Sequence, residues 1–178
     1  MRAVIWIVEG TWQGCIDVAL GILPGDAEVV LLHAGSADAQ QAAEAASAGL
    51  LGRHRPGRGG PGLVQVSDEE AEGLLTAAEQ RLGRGELRRV RVGGRVERAV
   101  VEALADGVDV LVCARDGDRS RLGPHSLGPA TRFVVDHAPC TVVLVWPDET
   151  PDVGSIPPPP HHERPHHHGP PHSPPRHT

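Results

Sequence analysis

Leu111-Val112-Cys113-Ala114-Arg115-Asp116-Gly117 reads as a buried strand running into a glycine turn, and the segments after it say what the turn belongs to. Leu127-Gly128-Pro129-Ala130-Thr131 sets a glycine before a proline, the order that opens a helix, and Pro129–His137 is predicted helical. His137-Ala138-Pro139-Cys140 then turns the chain into Thr141-Val142-Val143-Leu144-Val145, an apolar, β-branched run that is predicted to be a last strand reaching Trp146. Strand, glycine loop, helix and strand in this order form one unit of a parallel sheet.

The same grammar extends upstream. Val4-Ile5-Trp6-Ile7-Val8 is continuously apolar, as a strand buried on both faces requires. Trp12, Ile16, Ala19, Leu20 and Leu23 share one face of a helix that Pro24-Gly25 ends. Glu28–His33 is the second strand, and Ala37–Leu51 is alanine-rich and predicted helical. Gly52–Gly62 is a Gly/Arg/Pro loop. Ser67-Asp68-Glu69-Glu70 has capping-box spacing and is predicted to open a helix with Ala71, Leu74, Leu75, Ala78 and Leu82 inward. Leu87–Val92 is a weaker third strand because Arg alternates through it. Val96, Val100, Val101 and Leu104 mark another helix, and Val108–Cys113 is the fourth strand. Strands alternating with helices predict an α/β fold: a five-stranded parallel sheet, doubly wound, with right-handed connections. Ligands of such sheets sit beyond the carboxyl ends of the strands, here at Glu9-Gly10-Thr11, Ala34-Gly35-Ser36 and Ala114–Leu127.

Composition narrows the chemistry. The 178 residues carry a net charge of −6, so bulk charge points to neither nucleic acid nor an anionic membrane. Every Lys/Arg position is Arg, and Lys and Tyr are absent; this excludes a Schiff-base lysine, a Walker-type phosphate lysine and a tyrosine acid. No nucleophile, base and orienting group recur in a catalytic spacing, and no enzyme activity is expected. Cys15, Cys113 and Cys140 are odd in number and widely spaced, which fits core thiols in a reducing compartment. The apolar run at the start of the chain is too short for a signal core or a membrane span, so a cytoplasmic location is expected. At Pro147 the composition changes abruptly. Residues 1–147 read as one domain, and residues 148–178 as a Pro/His-rich disordered tail. In that tail His161, His162, His166, His167, His168 and His172 are dense enough to chelate a divalent metal, with poor selectivity; an incidental low-complexity extension fits the same residues.

The segments from Leu111 to Val145, with Val8-Glu9-Gly10-Thr11 and Leu31-Leu32-His33-Ala34, resemble the universal stress protein family over roughly Met1–Trp146. The resemblance implies strand order 3-2-1-4-5, with the last strand at an edge. It also implies a homodimer paired through that fifth strand, and ATP or another adenine nucleotide as ligand. Nucleotide-binding members carry a Gly-x2-Gly-x9-Gly-Ser/Thr motif, accompanied by an acid at the end of the first strand. Its glycines admit phosphates to the backbone, and the helix start offers free N–H groups. On this pattern the site residues are Glu9, Ala34, Ala114, Arg115, Gly117, Gly128, Pro129 and Thr131.

The motif is degenerate here. Ala114 stands at the first Gly, the spacer Asp118–Leu127 is one residue longer, and Pro129 replaces the hydroxyl residue and removes an N–H. Arg115, Arg119 and Arg121 offer replacement donors for phosphate. A tight turn without ligand fits the same loop, and for Glu9 so does a place near a helix amino end. His137 and Cys140 fit a turn better than a metal site, and His33 fits a turn or a site lining. The function expected is a stress-response regulatory module with weak or vestigial adenine-nucleotide binding. A dimeric interaction module without nucleotide and a metal buffer acting through the tail are the alternatives. Protein partners are not specified by the sequence.

Overall fold

The computed structural model describes residues 1–36 and 60–158. The expectations for Ala37–Leu51, for residues 52–59 of the Gly/Arg/Pro loop, and for the histidines from His161 to His172 lie outside the described residues.

Five strands form one sheet: β1 (Arg2–Trp6), β2 (Glu28–Ser36), β3 (Leu87–Gly94), β4 (Val110–Ala114) and β5 (Thr141–Val145). Their order is β3-β2-β1-β4-β5, and every neighbouring pair is parallel. Between them run α1 (Trp12–Ile22), α2 (Gly60–Leu82), α3 (Val96–Leu104) and α4 (Pro129–His137). This is the doubly wound architecture and the strand order expected.

Alternation along the strands builds two cores. Ala3, Ile5, Ile7, Val29 and Leu31 pack against Cys15, Ile16 and Ala19 of α1 and Leu75, Ala78 and Leu82 of α2. Val4, Trp6, Val30 and Leu32 pack on the opposite face against Val100 and Leu104 of α3 and Val134 of α4. A strand covered on both faces must be apolar at every position, which is why β1 and β4 read as uninterrupted runs. Each fully buried Ile, Leu or Val contributes roughly 1.5–3 kcal/mol. The buried thiols belong to these cores. Burial pushes Cys15 and Cys113 up to about 12 and also raises Cys140, so all three stay protonated at neutral pH.

The two edges differ. On β3, Arg89 and Arg91 point to the α2 side. There Arg89 bonds Thr76 Oγ1 at 3.1 Å and pairs with Glu72 and Glu79, and Arg91 reaches Glu72 at 3.5 Å. Residues 72, 76 and 79 form one helical stripe, so the alternating arginines have an acidic counter-surface. β5 instead carries Val142, Val143 and Leu144, only half-buried in the single chain.

Several boundaries move: β3 runs on to Gly94, and β4 spans Val110–Ala114 rather than Val108–Cys113. Helix α2 starts at Gly60 rather than Ser67, so Ser67-Asp68-Glu69-Glu70 lies inside the helix rather than at its start. β1 ends at Trp6 although Ile7 is fully buried, because Ile7 gives its N–H to Leu32 O at 2.8 Å and then leaves the ladder. β2 continues through Ser36, so Ala34-Gly35-Ser36 still pairs with β3. His33 therefore sits within a strand, where its Nδ1 meets Ile7 O at 3.1 Å and ties β1 to β2.

Candidate functional site

Strand order reverses between β1 and β4: the chain steps outward from β1 through β2 to β3, then returns to β4 and continues to β5. The carboxyl ends of β2, β1 and β4 are thus neighbours, and each contributes a segment to the crevice expected there.

The β1 end is open. Val8 O accepts from Thr11 N at 3.2 Å, Trp12 N at 3.1 Å and Thr11 Oγ1 at 3.2 Å, closing a tight turn into α1. The Thr11 hydroxyl is thereby spent on the turn and does not cap the helix. Glu9 and Gly10 are exposed at its tip, and a Cβ at Gly10 would meet nothing within 4 Å. Beside it, Ala34 of β2 is half-buried against the α3 side.

The β4 end is filled by its own chain. Ala114 is buried in the ladder opposite Val145, and Arg115 N continues it to Val145 O at 2.8 Å. The loop from Arg115 to Gly128 then folds on itself. Gly117 N bonds Ser126 O at 2.9 Å and Asp118 N bonds His125 O at 2.8 Å. A Cβ on Gly117 would lie 2.3 Å from His125 O, so glycine is required by the loop's own return strand. Gly128 begins α4 with extended backbone, and Pro129 takes the first helical position as expected. The N–H of Gly128 donates to Asp116 Oδ1 at 2.8 Å, and a Cβ on Gly128 would sit 2.8 Å from the other oxygen of that carboxylate. The chain's own anion thus lies against the start of α4, where free N–H groups and the helix dipole favour negative charge.

The loop cations are engaged as well. Arg115 bonds Ser126 Oγ through Nη1 and lies 4.8 Å above the Trp146 ring, a cation–π contact. Ser126 is fully buried, and its hydroxyl donates to Gly123 O at 2.6 Å. Arg121 Nε bonds Asp118 Oδ2 at 3.1 Å. Hydrogen bonds from Ser120, and then the Arg121 charge, hold the Asp118 carboxyl below its usual range. Arg119 Nη1 lies 2.7 Å from Asp148 Oδ2, beyond β5; the approach is close but unaligned, so it is a charge contact without a formed hydrogen bond. Thr131 is 2% exposed, so its side chain is buried in the fold.

Comparisons with known proteins bear on the architecture. The sequence matches no family model and no curated protein. Solved structures do match. A hypothetical protein whose biochemical function was assigned from its structure superposes with a TM-score of 0.63 at 19% identity, over 84% of this chain and 97% of that one. A universal stress protein from Lactobacillus plantarum gives 0.57 at 21% identity, over 82% and 97%. A universal stress protein in complex with cAMP gives 0.55 at 17%, over 83% and 98%. The chain has the universal stress protein fold.

Within the universal stress protein fold, the structure places Arg115, Gly117 and Gly128 in one loop between Ala114, the last residue of β4, and Pro129, the first of α4, with Glu9 in the turn after β1 and Ala34 near the end of β2. It turns Arg115 onto Ser126 and Trp146, and Thr131 inward. Sequence reasoning passed over Asp116, Ser126, Asp148 and Ser155. The only signal for Asp116 was an acid next to the motif's glycine. Among the described residues no cluster of three His, Cys, Asp or Glu side chains can hold a metal, and no helix is long and apolar enough to cross a membrane. A cavity of about 200 Å³ lies toward the amino ends of β1–β3, floored by Val4, Val30, Val90 and Val108 and rimmed by Arg2 and Arg88.

Proposed function

We propose that this protein is a universal stress protein-like regulatory module, working in the cytoplasm, that binds ATP or another adenine nucleotide weakly and does not turn it over. The observation that carries the reading is the Asp116 carboxylate on the Gly128 N–H. A phosphate brought to the start of α4 must displace a chain carboxylate already bonded there. The competing interaction is a charge-assisted hydrogen bond, typically about 1.5–3 kcal/mol. Pro129 has no N–H to offer in compensation. The open β1 turn, with Glu9 exposed, leaves room for the uncharged part of such a ligand. A structural neighbour in complex with cAMP supports an adenine nucleotide as the class to test first. Mass spectrometry of small molecules released from freshly purified protein is expected to show no stoichiometric nucleotide. One equivalent of ATP per chain would overturn the weak-binding reading.

A second reading, a dimeric interaction module, is favoured by β5. It is an edge strand with three half-buried apolar residues, and unpaired apolar edges are association-prone. A symmetric copy paired along β5 would cover them. Sedimentation equilibrium is expected to show a dimer, and Val143→Pro to shift it to monomer; a monomer at high micromolar concentration would end this reading. The histidine-rich tail is carried as an accessory metal chelator, tested by retention on nickel resin before and after its deletion.

A further inference from the structure

The chain does not leave the domain at Trp146. Pro147 lies against α1 so closely that a Cβ on Gly14 would be 2.9 Å from Pro147 Cα. Asp148 then reaches Arg119 of the β4 loop at 2.7 Å. A short turn at Val153–Ser155 follows, shaped by Asp152: its Oδ1 accepts from Gly154 N at 2.6 Å and its carbonyl from Ser155 N at 2.9 Å. That turn aims the Ser155 hydroxyl. The hydroxyl donates to Asp152 O at 2.6 Å and accepts from Leu122 N at 2.9 Å. Pro157 ends the crossing beside Gly123, its Cδ 3.9 Å from where a Cβ would stand.

The geometry points to residues 147–158 acting as an autoinhibitory strap that stands in for a phosphate-bearing ligand on the β4 loop. The inference rests on the nucleotide reading above and adds its regulation. Charge is complementary: the strap brings Asp148, Glu149 and Asp152 and no base, against a loop whose Arg115, Arg119 and Arg121 outnumber its Asp116 and Asp118. The groups it occupies are the kinds a phosphate uses, a guanidinium and a backbone N–H. Of the three loop arginines, Arg119 is the one whose acidic partner comes from outside the loop, and its contact is not aligned as a hydrogen bond. A tetrahedral oxyanion that offers Arg119 an aligned acceptor competes well against such a partner. Anything that draws the segment after β5 away would free Arg119 and the Leu122 N–H together, because one short strap holds both.

The test uses the full chain and the double variant Asp148→Asn, Ser155→Ala. Both residues lie outside the hydrophobic cores, and a thermal melt checks that the variant folds. Inorganic tripolyphosphate is the probe for calorimetric titration, and amide hydrogen exchange at Gly117, Asp118 and Leu122 reports the loop. The strap predicts faster exchange at all three amides and at least about tenfold tighter tripolyphosphate binding in the variant, roughly the effect of one charge-assisted contact freed. Unchanged exchange at Gly117 and Asp118 would show that the segment does not hold the loop, and overturns the proposal. Faster exchange with unchanged tripolyphosphate affinity overturns it too, since the freed Arg119 then takes no phosphate. In either case ATP binding by the natural chain, measured separately, shows whether the nucleotide reading stands without the strap.

Discussion

The turns after β1 and β4 sit side by side at the reversal point of the sheet, both are built around glycine, and they are opposites. Gly10 stands at an open tip with nothing within 4 Å of its missing Cβ, whereas Gly117 and Gly128 are pressed against His125 O and the Asp116 carboxylate. Gly10 is needed for its backbone angle, a φ of +74° that side chains disfavour. Gly117 and Gly128 are needed for space, and the space is taken by the chain itself. A glycine pattern that resembles a phosphate cradle can therefore be required by internal packing alone.

Substitution separates the two turns most strongly. Gly117→Ala drives a methyl into a backbone carbonyl that cannot move without opening the loop, and is expected to destabilise the fold by about 3 kcal/mol. Gly10→Ala meets only the backbone preference, about 1 kcal/mol. Urea melts of the two variants check this; equal losses would show that the β4 loop is looser than the structure has it.

Asp116→Ala comes next. It leaves the Gly128 N–H without its acceptor, and removing such a cap typically costs about 1 kcal/mol. The effect on stability should be accompanied by faster amide exchange at the start of α4. If Gly128 exchange is unaltered, Asp116 is not what holds that amide.

The smallest effect lies away from both turns and serves as their baseline. Asp17 of α1 takes two bonds from Arg81 of α2, both at 2.8 Å, and the Arg81 hydrogen bond lowers the carboxyl from its ordinary 3.8. A group whose folded value is lowered adds stability above its unfolded value and loses it as pH falls through the folded one. Asp17→Asn should thus be slightly less stable than the natural chain at neutral pH, with the difference lost as pH falls through the lowered folded value. Because the pair is exposed, solvent and salt screen it and the difference is small. A variant whose deficit persists unchanged at low pH would rule out the ion pair as its source.

How much of this was legible beforehand follows from what periodicity can report. Continuous apolar runs such as Val4–Val8 mark burial on both faces, so the sheet and its parallel class were readable. They mark burial rather than ladder bonding, which is why β1 stops at Trp6 while Ile7 remains fully buried. The capping spacing at Ser67–Glu70 is a local signal that a preceding helical turn cancels, and α2 begins at Gly60. The edge strand β3 read as weak because its arginines have their partners, Glu72 and Glu79, on a helix that precedes it. At the site, the identities of the glycines and arginines were visible, but not what they touch. Arg115 finds Ser126 and Trp146, and Arg119 finds Asp148, through contacts between segments that no spacing rule joins.

Isothermal titration of the natural chain with ATP and magnesium, beside the Asp116→Ala variant, tests the self-filled loop most directly. With the carboxylate and Pro129 both working against phosphate, a loss of about 3 kcal/mol relative to a micromolar site gives a Kd on the order of 100 μM. Asp116→Ala should then bind severalfold more tightly. A natural chain binding ATP with a Kd below about 1 μM, unchanged or weakened by Asp116→Ala, would contradict the account.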